Sequence, residues 1–311
     1  METEREKKEW LKLNSDGSVL RAPHPTTPAS SDFTDGVASK DVVLNPETGI
    51  WTRIFKPETA SQKPPLLIYF HGGGFLVFST AWVEYHSFLY SLSKTAGLMI
   101  VSVDYRLAPE HRLRAAYDDC TEAIKWVAKH AAGSAEVPEE WLLPSAVDFS
   151  QCVLAGESAG GNIVYHVGLQ VGELDLRPLM VKELVVIHPY FMGEEMVETD
   201  KGEEMIKFVE MCKMGWSMTL PVGSSRDHPF CNPVVSPLEP DLKLPPVLVV
   251  VAGKDKLRDR RVMFYEYLRR CGKEAELMVE EGGVHAFHIF IPEFEGTLRL
   301  IQRISDFVKI R

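Results

Sequence analysis

Continuous apolar runs recur along this chain, and each is followed by a stretch with helical spacing. Leu66-Leu67-Ile68-Tyr69-Phe70 precedes a helical stretch from Trp82 to Ala96, and Leu98 to Val103 precedes Ala115 to His130. Gln151 to Ala155 leads into Gly161 to Val167, and a run at Leu184-Val185-Val186-Ile187 follows. Pro246 to Val251 then precedes Arg258 to Cys271, and Ala275 to Val279 precedes Phe294 to Val308. A strand that is apolar at successive positions has no face to give to water, so it must be covered on both sides. Repeated alternation of such strands with helices predicts an α/β fold: a mostly parallel central sheet flanked by helices. Two further strands, Lys40 to Leu44 and Ile50 to Phe55, are separated by the turn-forming Asn45-Pro46-Glu47-Thr48-Gly49. They predict a hairpin that adds antiparallel strands at one edge.

No linker divides the 311 residues, so the expectation is a single domain over 1–311. Two segments fall outside the alternation. Residues 1–36 are polar and proline-rich, with Trp10, Leu11, Leu13, Val19 and Leu20 as apolar points, and read as an irregular arm, either a disordered tail or a lid. Residues 193–230 contain an amphipathic helical segment, Met205 to Met218, and end in a Pro/Gly/Ser-rich loop. They are expected to form a helical cap above the carboxyl edge of the sheet, where such folds bind ligands.

The net charge of −10 and pI near 5.5 argue against nucleic acid or an anionic membrane as partner. No apolar run reaches membrane-spanning length. The charged start, Met1 to Glu9, has no apolar signal core, and the five cysteines have no metal-type spacing, so a reducing, cytoplasmic location is expected. No metal site or cofactor is expected.

Gly156-Glu157-Ser158-Ala159-Gly160 lies between an apolar strand and a plausible helix. That context makes Ser158 a candidate nucleophile on a sharp strand–turn–helix elbow, where flanking glycines relieve close backbone approach. By itself the string also fits an ordinary glycine-rich turn. A serine hydroxyl needs a base in reach, and the base needs an orienting acid. Downstream, Asp255 follows the 246–251 strand and His285 follows the 275–279 strand, giving the order Ser, Asp, His. Asp259 is a rival acid, but it stands at a helix start, where an acid usually serves the dipole. His288 is a rival base inside a run that looks packed, and His86 and His188 fall in the wrong chain order.

His71-Gly72-Gly73-Gly74-Phe75 follows the 66–70 strand directly. Without side chains in the way, the N–H groups of Gly72, Gly73 and Gly74 are candidate oxyanion donors, with Ala159 N–H as another. The competing reading, a phosphate-binding loop, lacks the Lys-Ser/Thr that such loops carry. Phe75, Leu76, Tyr190, Phe191 and Trp216 are candidate linings of a substrate pocket, although as single residues they read first as core.

With these residues in place, the chain resembles the plant carboxylesterases of the hormone-sensitive-lipase-like α/β-hydrolase family. The likeness runs from about Asp35 to the C-terminus. It rests on His71 to Phe75, Asp104-Tyr105-Arg106-Leu107-Ala108-Pro109-Glu110-His111-Arg112, Gly156 to Gly161, Asp255-Lys256-Leu257-Arg258-Asp259 and His285-Ala286-Phe287. The resemblance implies Ser158, Asp255 and His285 as triad, and Gly73, Gly74 and Ala159 as oxyanion donors. It also implies a cap built from the arm and the 193–230 insertion. Ala286 stands where the family often has glycine, and Arg114 where it often has proline.

The implied activity is hydrolysis of small carboxylic esters, with a small-molecule ester as the only partner and a monomer or weak homodimer as the assembly. Two family branches offer alternatives: lyases or cyclases of specialised metabolism, such as 2-hydroxyisoflavanone dehydratases, and non-catalytic gibberellin receptors. The receptors have lost the catalytic histidine, so His285 argues against that branch. Ser158 and Gly74 lean toward the esterases.

Overall fold

The computed structural model describes residues 10–58, 63–197 and 203–309. Its centre is an eight-stranded sheet in the order β10-β9-β8-β7-β5-β6-β4-β3. The strands are β3 (Val37–Asn45), β4 (Ile50–Pro57), β5 (Pro65–Phe70), β6 (Met99–Asp104), β7 (Asp148–Glu157), β8 (Val181–Ile187), β9 (Val247–Ala252) and β10 (Ala275–Glu280). From β10 to β6 all neighbours are parallel. The β3–β4 hairpin is antiparallel and joins at the β6 edge, as the turn residues between the strands predict.

Strand periodicity divides the core in two. Leu66, Ile68 and Phe70 of β5 face one side of the sheet, while Leu67 and Tyr69 face the other. On the first side lie α2 (Ala115–Ala131), α3 (Ala159–Val171) and α5 (Arg258–Arg270). On the second lie α1 (Val83–Ala96) and α7 (Glu295–Lys309). Both faces of the central strands are therefore sealed, which is why these strands carry no polar stripe. Truncating one fully buried side chain here, such as Leu67 to Ala, costs about 2–5 kcal/mol.

The position of the site follows from the strand order. The chain runs from β5 outward to β6, then crosses back to β7 and continues outward the other way. The carboxyl ends of the adjacent β5 and β7 therefore open into a crevice between connections that diverge. The His71–Gly74 loop leaves β5 there, and Ser158 leaves β7.

Residues 1–9 of the arm lie outside the described residues; from Trp10 on it forms more regular structure than its sequence suggests. Leu11–Leu13 and Val19–Arg21 pair as a small antiparallel hairpin, β1 and β2. Asp16 closes the turn by accepting from the backbone N–H of Ser18 at 2.9 Å. Strands of three residues are too short for any alternation to register, and their pairing depends on this turn. Trp10 packs edge-on against Phe78 and beside Trp82. Arg21 donates to the carbonyls of Leu76 and Ala108 at 2.6 and 2.8 Å and pairs with Glu110. The arm thus lies along the chain just beyond the glycine loop.

Within the insertion, α4 (Glu203–Thr219) follows the predicted helical segment closely. Its fully buried Trp216 stacks on Tyr190 with ring centres 4.7 Å apart. Among the described residues, no helix is long and apolar enough to cross a membrane.

Candidate active site

Ser158 joins β7 to α3 with φ 56° and ψ −116°, a conformation that costs a non-glycine residue about 1–3 kcal/mol. The surrounding backbone enforces it. Ser158 N–H donates to Ile187 O at 2.9 Å, and Ser158 O accepts from Tyr190 N–H at 2.8 Å. A β-carbon on Gly160 would stand 1.9 Å from Phe70 O, and one on Gly156 2.6 Å from the same atom. Only glycine fits at either position, so the two flanking glycines are a consequence of how closely β5 passes the elbow.

Asp255 sits in the turn between β9 and α5, and His285 lies beyond β10. His285 Nε2 is 3.0 Å from Ser158 Oγ, and Nδ1 is 2.7 Å from Asp255 Oδ2. The other carboxylate oxygen of Asp255 accepts from Leu257 N–H at 2.9 Å. Burial opposes the charge on Asp255, but Arg261 and His285 beside it hold the carboxyl well below its ordinary range. Asp255 is buried, whereas the His285 side chain is 41 % exposed, so the ring faces the open side of the crevice. The rivals lie elsewhere. Asp259 is in the first turn of α5, and His288 is buried, its basicity pushed down to about 3 by burial and by His285.

Next to His285, Ala286 adopts a left-handed conformation with φ 50°, a region that glycine enters more readily than alanine. Its N–H donates to Nδ1 of the buried His188 at 3.1 Å. Burial keeps His188 neutral, so the proton of its ring resides on Nε2. His188 thus anchors the loop that carries His285.

The glycine loop presents its N–H groups unequally. Gly73 and Gly74 have φ values of +97° and +61°, and a β-carbon on Gly73 would stand 2.1 Å from Val77 O. The Gly73 carbonyl closes a turn with the N–H groups of Leu76 and Val77. Among the described residues, the N–H groups of Gly73, Gly74 and Ala159 have no acceptor. Gly72 differs: its N–H donates to the Tyr85 hydroxyl at 3.2 Å, which removes it from the expected set of oxyanion donors.

That Tyr85 hydroxyl in turn donates to Oε1 of Glu157 at 2.5 Å, and Tyr69 donates to Oε2 at 2.7 Å. Burial raises the Glu157 carboxyl to about 7, against the pull of these two hydroxyls. On the other side of the loop, Tyr105 donates to the His71 carbonyl at 2.7 Å and stacks on the His71 ring. A buried polar network thus ties the glycine loop to the residue preceding Ser158.

The candidate pocket residues divide. Leu76 and Tyr190 flank the small Gly74 and Gly215, with Trp216 stacked behind Tyr190. Phe75 packs into the core against Tyr117 and Trp216, and Phe191 packs against Tyr165 and Phe264 between α3 and α5. Phe75 and Phe191 are buried in the main hydrophobic core cluster, which also holds Tyr190 and Trp216. Sequence reasoning missed Glu157, Tyr69, Tyr85, His188 and Arg261 as neighbours of the site. A charge in the interior of α5, on a face that must be buried, was the one available signal for Arg261. Among the described residues, no group of three or more His, Cys, Asp or Glu could hold a metal ion.

Residues 67–289 match the profile of the alpha/beta hydrolase fold, and the chain belongs to that family. It is 38% identical over 312 residues to probable carboxylesterase 8 of Arabidopsis thaliana, an alignment covering 96% of this chain and 92% of that one. It is also 38% identical over 280 residues to tuliposide A-converting enzyme 2, chloroplastic, of Tulipa gesneriana, covering 88% of this chain and 71% of that one. Among solved structures, the hyperthermophilic esterase of the archaeon Pyrobaculum calidifontis superposes with a TM-score of 0.71 at 28% identity, covering 87% of this chain and 85% of that one.

Proposed function

We propose that this chain is a serine carboxylesterase that hydrolyses small carboxylic esters through an acyl-enzyme on Ser158. The observation that carries this reading is the relay from Asp255 through His285 to Ser158, with spacings of 2.7 and 3.0 Å. Asp255 fixes the ring so that Nδ1 carries a proton and Nε2 is the free base. Nε2 takes the Ser158 proton as Oγ attacks the ester carbonyl. The resulting oxyanion is received by the N–H groups of Gly73, Gly74 and Ala159, with the N-terminus of α3 adding its dipole. His285 returns the proton to the departing alcohol. It then activates a water that releases the acid and regenerates Ser158.

In this reading the arm, residues 1–36, and the 193–230 insertion form the cap that selects the ester. The arm's attachment along Leu76 to Trp82 and the stacking of Trp216 on Tyr190 support that role. We place the protein in the cytoplasm as a monomer or weak homodimer, with free thiols at all five cysteines in support of a reducing compartment. Fractionation of the source tissue and light scattering check these two points. Nucleic acid and membrane are not partners in this reading. The test of function is turnover of short-chain p-nitrophenyl esters by the purified chain, abolished by Ser158→Ala. A folded wild type without Ser158-dependent turnover contradicts it.

A further inference from the structure

Arg261 is fully buried on α5, and its whole guanidinium is committed to the neighbourhood of the triad. Nη1 forms an ion pair with Asp255 Oδ2 at 2.5 Å, the same oxygen that holds His285 Nδ1 at 2.7 Å. Nη2 stands 3.1 Å from His285 Nδ1, and Nε donates to Pro189 O at 3.2 Å. An Nδ1 that donates its proton to Asp255 has no lone pair to offer Arg261. The guanidinium therefore faces the ring as a fixed positive charge.

We infer that Arg261 is a positioning residue of the triad, one that fixes Asp255 and limits how readily His285 accepts the Ser158 proton. This rests on the esterase reading above. When Nε2 takes the proton from Oγ, the O–H bond breaks, an N–H bond forms and the ring becomes a cation. Asp255 is there to offset that charge, but Arg261 already neutralises it, both side chains being buried beneath the ring. Arg261 therefore opposes the imidazolium that forms on His285 while it holds Asp255 in place. The other titratable groups facing this centre are His188 after β8, with its ring 5.9 Å from that of His285, His288 in the short helix α6 (Phe287–Phe290), and Cys212 on α4. His188 is held neutral by burial, and burial raises the Cys212 thiol to about 11, so Arg261 is the fixed charge among them.

The experiment is the pH profile of kcat/KM for p-nitrophenyl acetate in wild type, Arg261→Met and Arg261→Lys, with folding checked by circular dichroism. Removing the cation lets the ring protonate more readily, so the acid limb of Arg261→Met moves to higher pH by about 1–2 units. Arg261→Lys keeps the charge but loses the fork that reaches Pro189. Its limb stays near wild type while kcat falls and KM does not. If Arg261→Met fails to fold, the two remaining profiles decide the matter: a Lys limb displaced upward as far as 1–2 units overturns the inference. A folded Arg261→Met with an unmoved or lowered limb also overturns it. Both failures are separable from failure of the esterase reading, which shows in the wild type as absence of Ser158-dependent turnover.

Discussion

Gly72 lies directly against the buried Glu157: a β-carbon on Gly72 would stand 2.2 Å from Oε1 of Glu157. Glu157 cannot retreat, since Tyr69 and Tyr85 hold both of its oxygens. Any side chain at position 72 must therefore displace the glycine loop, and with it the N–H groups of Gly73 and Gly74. Gly72→Ala is expected to lower kcat for a short ester by about 10²-fold or more, the effect of losing one oxyanion donor. Steady-state kinetics on a variant of native circular dichroism checks this. A kcat within threefold of wild type contradicts it.

The buried carboxyl of Glu157 also predicts how stability varies with pH. Its folded-state value is raised by burial from 4.5 to about 7, so the folded chain holds this proton more tightly than the unfolded chain does. That contribution is fully present below pH 4.5 and is lost as pH rises through about 7. Glu157→Gln has no such proton to lose. Urea unfolding at a series of pH values is expected to show wild type losing stability relative to Glu157→Gln between pH 4.5 and 8, by on the order of 3 kcal/mol. A difference that does not vary with pH contradicts this.

Asp255→Asn keeps the size of the side chain and removes its charge. The amide no longer enforces the proton on His285 Nδ1, and Arg261 is left as a buried cation facing a neutral partner. We expect kcat to fall by about 10⁴-fold. The variant is also expected to melt earlier, since breaking a buried ion pair costs about 3–5 kcal/mol. Kinetics and calorimetry on the same sample test both outcomes; an activity loss below tenfold contradicts the first.

The arm offers a test of the cap. Arg21 fastens it through the carbonyls of Leu76 and Ala108 and through Glu110. The exposed ion pair to Glu110 contributes little, while each hydrogen bond to a carbonyl contributes about 0.5–1.5 kcal/mol. Arg21→Ala is therefore expected to raise KM by about 2- to 10-fold with little change in kcat. A fall in kcat at constant KM contradicts a role confined to the cap.

These tests divide along what could be read in the chain. The alternation of apolar strands and helices was legible because every central strand is buried on both faces, a local property of five or six residues. Ser158, Asp255 and His285 could be nominated together because each follows a strand and chain order restricts the choice. The hairpin of the arm was not legible: three-residue strands carry no period, and their anchors at Leu76 and Ala108 lie more than fifty residues away. Nor was the network at Glu157, whose partners Tyr69 and Tyr85 meet it only because β5 lies beside β7 and α1 packs beneath. From the residues alone Gly72 looked equivalent to Gly73 and Gly74; the family resemblance left it out of the donors, and the hydroxyl of Tyr85 gives the physical reason. Phe75 and Phe191 stood between pocket and core in the sequence, because composition does not show which way a ring turns.

The central claim is that Ser158 is acylated, and intact-protein mass spectrometry after brief mixing with a p-nitrophenyl ester, quenched in acid, tests it most directly. The account predicts a mass increase of one acyl group, located to the peptide containing Ser158 and absent from Ser158→Ala. An unmodified Ser158 in a sample that is folded and releases p-nitrophenol, or the same adduct on Ser158→Ala, would contradict it.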